Sequence, residues 1–158
     1  MQNELFVHTP LYLVTATMVC WKCRASQTVV ALACHNLSDG ERDMAPFGDV
    51  SGLLLLSEVT KMPPLVLQEM MKRNPRYELR YSSTAQEEYF ANTCACGALF
   101  GDFYLYSEPG GAFFPEDPNA ARVIMMERLE FDGPQPFECS FSQGGTGQFI
   151  LEHATRVP

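Results

Sequence analysis

The stretch "YFANTCACGALFGD" (residues 89–102) places two cysteines, Cys94 and Cys96, around a single alanine and follows them at once with Gly97. A second pair, Cys20 and Cys23, lies far upstream in "VCWKC" (residues 19–23). What flanks each pair decides the fold. "LYLVTATMV" (residues 11–19) is rich in β-branched and aromatic residues and runs straight into Cys20, and "SQTVVALAC" (residues 26–34) has the same character. The two read as strands of one hairpin with "CWKC" at its tip. "EEYFANT" (residues 87–93) leads into the second pair and "ALFGDFYLY" (residues 98–106) leads out of it, again as strands. Two hairpin tips, each carrying two thiols, are therefore expected to face one another.

That arrangement suits a metal. A close pair of cysteines on a tight turn supplies two adjacent corners of a tetrahedron, and zinc takes four thiolates at about 2.3 Å. Glycine after the second cysteine permits a positive φ, so that backbone amides can aim at the sulfurs. Gly97 meets that need, and Arg24 after Cys23 does not, though a non-glycine residue can occupy that place. The C-x-x-C of the first turn is ordinary, while the C-x-C of the second is one residue short and needs a reshaped turn. Cys20, Cys23, Cys94 and Cys96 are the expected ligands of one Zn2+. Other readings stand beside this one. A redox dithiol normally precedes a helix in a β-α-β unit, but a strand follows here. An iron–sulfur cluster also uses four thiolates, and the thiols could be unpaired structural groups. Cys34 ends an apolar strand and Cys139 alternates with Phe137 and Phe141, so both are expected in the core. His35 is expected as a substitute ligand only if Cys94 or Cys96 fails to reach the ion.

The 158 residues fit one domain, 1–158, and 46% apolar with 19% charged residues is a globular composition. The expected ribbon comes from residues 11–34 and 87–106, with 35–86 as an insertion. "MQNELFVHTP" (residues 1–10) lacks a basic segment followed by a long apolar one, so no secretory signal is expected. The longest apolar run, residues 53–56, is far below the roughly 20 residues of a membrane span. A cytoplasmic location and reduced thiols follow as expectations.

Elsewhere, "PPLVLQEMMKR" (residues 63–73) is the best helix, with proline in its first turn and Asn74-Pro75 stopping it. Val66 with Met70 and Leu67 with Met71 stack four apart, and both methionines are expected to fill core. "YELRYS" (residues 77–82) alternates as a strand. Residues 36–49 read as a loop, and residues 50–59 as a buried strand or a helical turn. "ARVIMMERLEF" (residues 121–131) fits either helix or strand. "FECSFS" (residues 137–142) and "GQFILEH" (residues 147–153) look like a closing hairpin around "QGGTG". The sum is an α+β, strand-dominated single domain with a split zinc ribbon of two cysteine hairpins and one main helix.

With its neighbours, the second cysteine stretch resembles the bacterial zinc-ribbon pattern Y-[WYF]-A-N-x-C-x-x-C-G-A-x-x-G-D-x-[FY]-L with an upstream C-W-K-C, which often continues into E-P-G-G-x-F. "EPGGAFFP" (residues 108–115) matches that continuation. The likeness is close over residues 89–115 and loose over 11–115. It implies the same four ligands and departs by the residue missing between Cys94 and Cys96. Members of this group are mostly of unknown function, so it implies a metal site rather than an activity. Asn92 is suited to pinning a turn, Gly101 to a close backbone approach, and Asp102 to capping or bonding a loop. A ligand site from Trp21, Phe113, Phe114 and the glycine loop is a secondary expectation.

No HExxH, G-x-S-x-G, P-loop or G-x-G-x-x-G stands in a fitting context. No H-x-E or C-x-E accompanies the cysteines, as a zinc deaminase would need. Four thiolates leave zinc no open position. A non-enzymatic zinc-binding protein is expected. The 19 acidic against 11 basic residues give a net charge of -8, which points to a basic protein partner, with an acidic inhibitor or immunity-type protein as the concrete version. Nucleic acid is disfavoured by the same charge. The alternative, a nucleic-acid-associated zinc ribbon, has Lys22 and Arg24 beside Cys23 in its favour. The basic residues Lys72, Arg73, Arg76 and Arg80 read as a solvated face.

Overall fold

The long apolar runs of this chain split their residues between two covered faces of one sheet. The computed structural model describes residues 4–38, 43–44, 53–108, 110–142 and 145–157. Parts of the 36–49 and 50–59 stretches, Pro109, and Gln143 and Gly144 of the "QGGTG" turn lie outside those residues. Strands β1 (Glu4–Val7), β2 (Leu11–Val19), β3 (Ser26–Cys34), β4 (Leu37–Ser38), β5 (Asp43–Met44), β6 (Leu54–Lys61), β10 (Met125–Leu129), β11 (Gln135–Ser142) and β12 (Thr155–Arg156) form a sheet in the order β12-β10-β2-β3-β6-β11-β1-β4-β5. A smaller sheet holds β7 (Glu78–Ser82), β8 (Glu87–Thr93) and β9 (Leu99–Phe100). The fold is strand-rich with a few helices, as an α+β class requires.

In β3, Val29, Ala31 and Ala33 join one apolar cluster with Tyr12, Val14 and Leu55, while Val30, Leu32 and Cys34 join the other with Leu11, Leu13 and Leu54. Successive side chains point to opposite faces, so a strand covered on both sides reads as an unbroken apolar run. That settles residues 50–59: their described part is the central strand β6. Helix α1 (Pro64–Arg73) covers the second face with Val66 and Met70. Lys72 and Arg73 in its last turn complement the helix dipole. Leu67 packs partly, but Met71 is exposed, so the paired methionines do not share one role. Cys34 and Cys139 are buried in this cluster, as their strand positions imply.

Several expectations need correction. "GQFILEH" is not a strand but lies in helix α3 (Gly145–His153), of nine residues against ten for α1, so there is no single main helix. Gly147 and Ile150 are buried one turn apart, and Phe149 with His153 and Gln148 with Glu152 make i,i+4 contacts. A Cβ on Gly147 would collide with the Leu53 carbonyl, so this helix rests through glycine on the backbone just before β6. "ALFGDFYLY" keeps only the two residues of β9 as strand and then coils into one wide π-type turn, Phe103–Ser107. Residues 121–131 divide between helix α2 (Pro118–Arg122) and β10. The 36–49 loop includes β4 and β5. Among the described residues no helix is long and apolar enough to cross a membrane.

Candidate metal centre

Each cysteine pair sits at a hairpin tip. β2 and β3 pair from Leu11↔Cys34 to Val19↔Ser26, which leaves residues 20–25 as the turn. β8 and β9 pair through Asn92↔Phe100 and Thr93↔Leu99, which leaves residues 94–98. The first turn closes with the Cys20 N–H donating to the Ala25 carbonyl (2.8 Å) and the Arg24 N–H donating to the Cys20 carbonyl (3.0 Å). The second closes with Cys94 N–H to Ala98 (2.8 Å) and Gly97 N–H to Cys94 (2.8 Å). The C-x-C turn is thus the same device shortened by one residue, with an i+3 closure in place of i+4. Both residues after the second cysteine have positive φ: Gly97 at 94° and Arg24 at 66°. Arg24 adopts there a conformation that favours glycine.

The four sulfurs converge. Cys20 Sγ lies 3.7 Å from Cys96 Sγ and Cys23 Sγ lies 3.6 Å from Cys94 Sγ. All four lie within 4.8 Å of one another. Tetrahedral ligands at about 2.3 Å from one ion stand about 3.8 Å apart, whereas disulfide sulfurs stand about 2.05 Å apart. The spacing is therefore that of a metal cage, and these cysteines are free thiols. Cys20 and Cys94 are buried, Cys23 and Cys96 exposed. The amides of Lys22 and Cys23 approach Cys20 Sγ at 3.4 and 3.5 Å.

These contacts tune the thiols. The Cys23 amide leads the forces that draw the Cys20 thiol down to about 6, against desolvation. At Cys94 the Cys96 amide also pulls downward, but desolvation and the thiols of Cys23, Cys20 and Cys96 outweigh it and push the group up to about 11. Burial instead pushes Cys34 and Cys139 up to about 12, which keeps both protonated in the core. His35 stands at the far end of β3 from the cluster, roughly 25 Å along the strand at about 3.3 Å per residue, edge-on to Tyr12. It is no substitute ligand.

Two contacts lock the tips together without an ion. The Trp21 indole N–H donates to the Leu99 carbonyl (3.1 Å), and the Ala95 N–H to Gln27 Oε1 (3.4 Å). Arg80 backs the second turn by donating to the Gly97 carbonyl (3.4 Å).

A fault in the large sheet explains the rest of the "YFANTCACGALFGD" stretch. β3 and β6 pair as Leu32↔Leu56 and Cys34↔Leu54, so the next step would set Val30 against Glu58. Glu58 leaves the ladder instead, with φ at 49°. The β6–β11 register shifts at the same place, between Glu138 and Ser140. Asn92 fills the vacant position. Its Oδ1 accepts from the Val30 N–H (2.8 Å) and its Nδ2 donates to the Val30 carbonyl (2.9 Å), so it pins β8 to β3 rather than pinning a turn. Asp102 takes the other loose end, its Oδ2 accepting from the Glu58 N–H (2.6 Å). The Asp102 N–H in turn donates to Tyr89 Oη (3.0 Å). Gly101 has room for a methyl group and makes no special approach. Glu58 was invisible in the sequence, since glutamate carries no signal for a left-handed backbone. The expected aromatic site also dissolves, because Phe113 is buried in the core beside Tyr106.

Desolvation pushes the Asp102 carboxyl up to about 7, against the Glu58 amide and aided by the Glu58 charge. Between about pH 4 and that value the folded chain holds a proton that the unfolded chain has released. Stability from this group is therefore fullest at the acid side of the window and falls as pH rises through it, by at most about 1.4 kcal/mol per pH unit. Melting curves between about pH 5.5 and about pH 7.5 are expected to show a smaller alkaline loss for Asp102→Asn than for the native chain. Identical slopes would remove Asp102 as the titrating group.

The chain matches no known family model, no curated protein and no solved structure.

Proposed function

We propose that Cys20, Cys23, Cys94 and Cys96 bind one zinc ion as thiolates, in the manner of a split zinc ribbon, and that the ion is structural. The observation that carries this reading is the convergence of four sulfurs within 4.8 Å from two hairpin tips of matching design. The donor set also supports zinc over harder divalent ions, which prefer oxygen. A full thiolate shell has no position for water or substrate, so the role proposed is binding rather than catalysis. The net charge of -8 favours a basic protein partner over nucleic acid, whose phosphates it would repel. An acidic inhibitor of immunity type is the concrete form of that proposal, in the cytoplasm where thiols stay reduced.

Elemental analysis of the purified chain tests the metal. One zinc per chain, with loss of folded protein when a chelator removes it, is expected. A metal-free protein that stays folded with four freely reactive thiols contradicts it.

A further inference from the structure

Strand β7 stands at the end of the smaller sheet, beside β8. It meets solvent on both of its faces: Glu78, Leu79 and Tyr81 are exposed and Arg80 is half-buried. Leu79 is 44% and Tyr81 61% exposed. Both point to the face of Phe90, which Leu79 opposes across the ladder. End strands are templates for further pairing, and folds commonly blunt them with proline, a bulge or charge. β7 has no proline and runs in unbroken register from Glu78↔Ala91 to Ser82↔Glu87. Its two charges, Glu78 and Arg80, differ in sign and share the other face.

That spacing makes the strand complementary to itself. When two copies of a strand pair antiparallel about a two-fold axis normal to their sheet, one residue lies on the axis and faces its own copy. An axis at Glu78 or Arg80 sets like charges together. An axis at Tyr81 sets Arg80 opposite Ser82 and carries Glu78 beyond the strand. An axis at Leu79 instead sets Glu78 opposite Arg80 on both sides of it, with leucine on leucine at the centre. It also sets Tyr81 opposite Tyr77, whose ring stacks on Phe90 with centroids 5.9 Å apart. Directly opposed residues hold their Cβ atoms about 4.5–5.5 Å apart, close enough for ion and ring pairs. Within one strand the Glu78–Arg80 contact is 4.0 Å, the outer limit of an ion pair, while the Arg80 guanidinium is steadied by Thr93 Oγ1 and the Gly97 carbonyl. β7 carries one charge of each sign in a chain of net charge -8, so a second copy meets no net like charge on this strand.

We propose that β7 docks a second copy of this chain, strand against strand and antiparallel about Leu79, joining the two smaller sheets into one continuous sheet. The proposal rests on β7 and not on the identity of the ion in the cage.

Sedimentation velocity of the full chain as purified, from low micromolar to submillimolar concentration, tests it, with zinc content measured on the same samples. A monomer–dimer equilibrium is expected. Glu78→Arg, at an exposed position, sets arginine against arginine and is expected to raise the dissociation constant at least about tenfold. Arg80→Glu sets glutamate against glutamate and is expected to weaken the dimer likewise. Mixing the two variants restores opposite charges at both positions and is expected to return a heterodimer of native affinity. A chain that stays monomeric throughout, or a dimer of unchanged affinity in Glu78→Arg, overturns the proposal whatever the zinc content. So does a mixture that fails to associate although each variant keeps native melting. If Arg80→Glu does not fold, the Glu78→Arg result decides.

Discussion

Cys20→Ser is expected to yield metal-free protein that does not accumulate in a soluble, folded form. Structural zinc in a small domain contributes about 10–16 kcal/mol of apparent binding energy, comparable to or above the roughly 5–15 kcal/mol that separates a folded domain from its unfolded chain. Cys20 is the most demanding of the four positions. Its sulfur is buried, receives the Lys22 and Cys23 amides, and stands 3.7 Å from Cys96 Sγ. A serine hydroxyl there is a poorer donor to a soft site. Cys96→Ser removes the same ion from an exposed corner and is expected to be less severe in the metal-free state. Cys139→Ala supplies the control, because Cys139 is buried but faces the other apolar cluster. It is expected to keep its full metal content. Soluble Cys20→Ser protein with native melting and native metal content would show that the thiol is no ligand.

Asn92→Ala is expected to cost about 3–9 kcal/mol, as three buried partners each lose a hydrogen bond at about 1–3 kcal/mol apiece. Those partners are the Val30 N–H, the Val30 carbonyl and the Asn74 side-chain amide, at 2.8, 2.9 and 3.0 Å. None can turn to water, since Asn92 and Asn74 are fully buried and Val30 lies in the sheet interior. The loss falls at the point where β6 abandons β3, so the two sheets are expected to part there before the rest unfolds. Denaturant titration of the metal-loaded variant measures it, with a fall in melting temperature on the order of 10 °C as the parallel sign. A cost below about 1 kcal/mol would mean that water or a shifted Glu58 repairs the ladder unaided.

The β2–β3 hairpin, the approach of β8 to the second cysteine pair, and α1 were legible because each rests on local pattern: β-branched runs, a proline start, and turns fixed by two cysteines; β6 stayed open between strand and helical turn. α3 was not, since Phe149, Ile150 and Leu151 stand side by side as they would in a buried strand. The helical spacing that buries Gly147 and Ile150 was there to be read. The helix of residues 118–122 also had a signal, Asp117 capping the Ala120 amide with proline next in line. Residue types identified the candidate metal centre, but its short second turn needed backbone closure to be understood. The roles of Asn92 and Asp102 depend on a fault at Glu58, a contact between distant segments that no local pattern announces.

X-ray absorption at the zinc edge, on protein as purified, tests the central claim most directly. Four sulfur scatterers at about 2.3 Å, with no nitrogen or oxygen in the shell, are predicted. A shell with fewer sulfurs, or protein containing no metal, would contradict the assignment of these four cysteines to one ion.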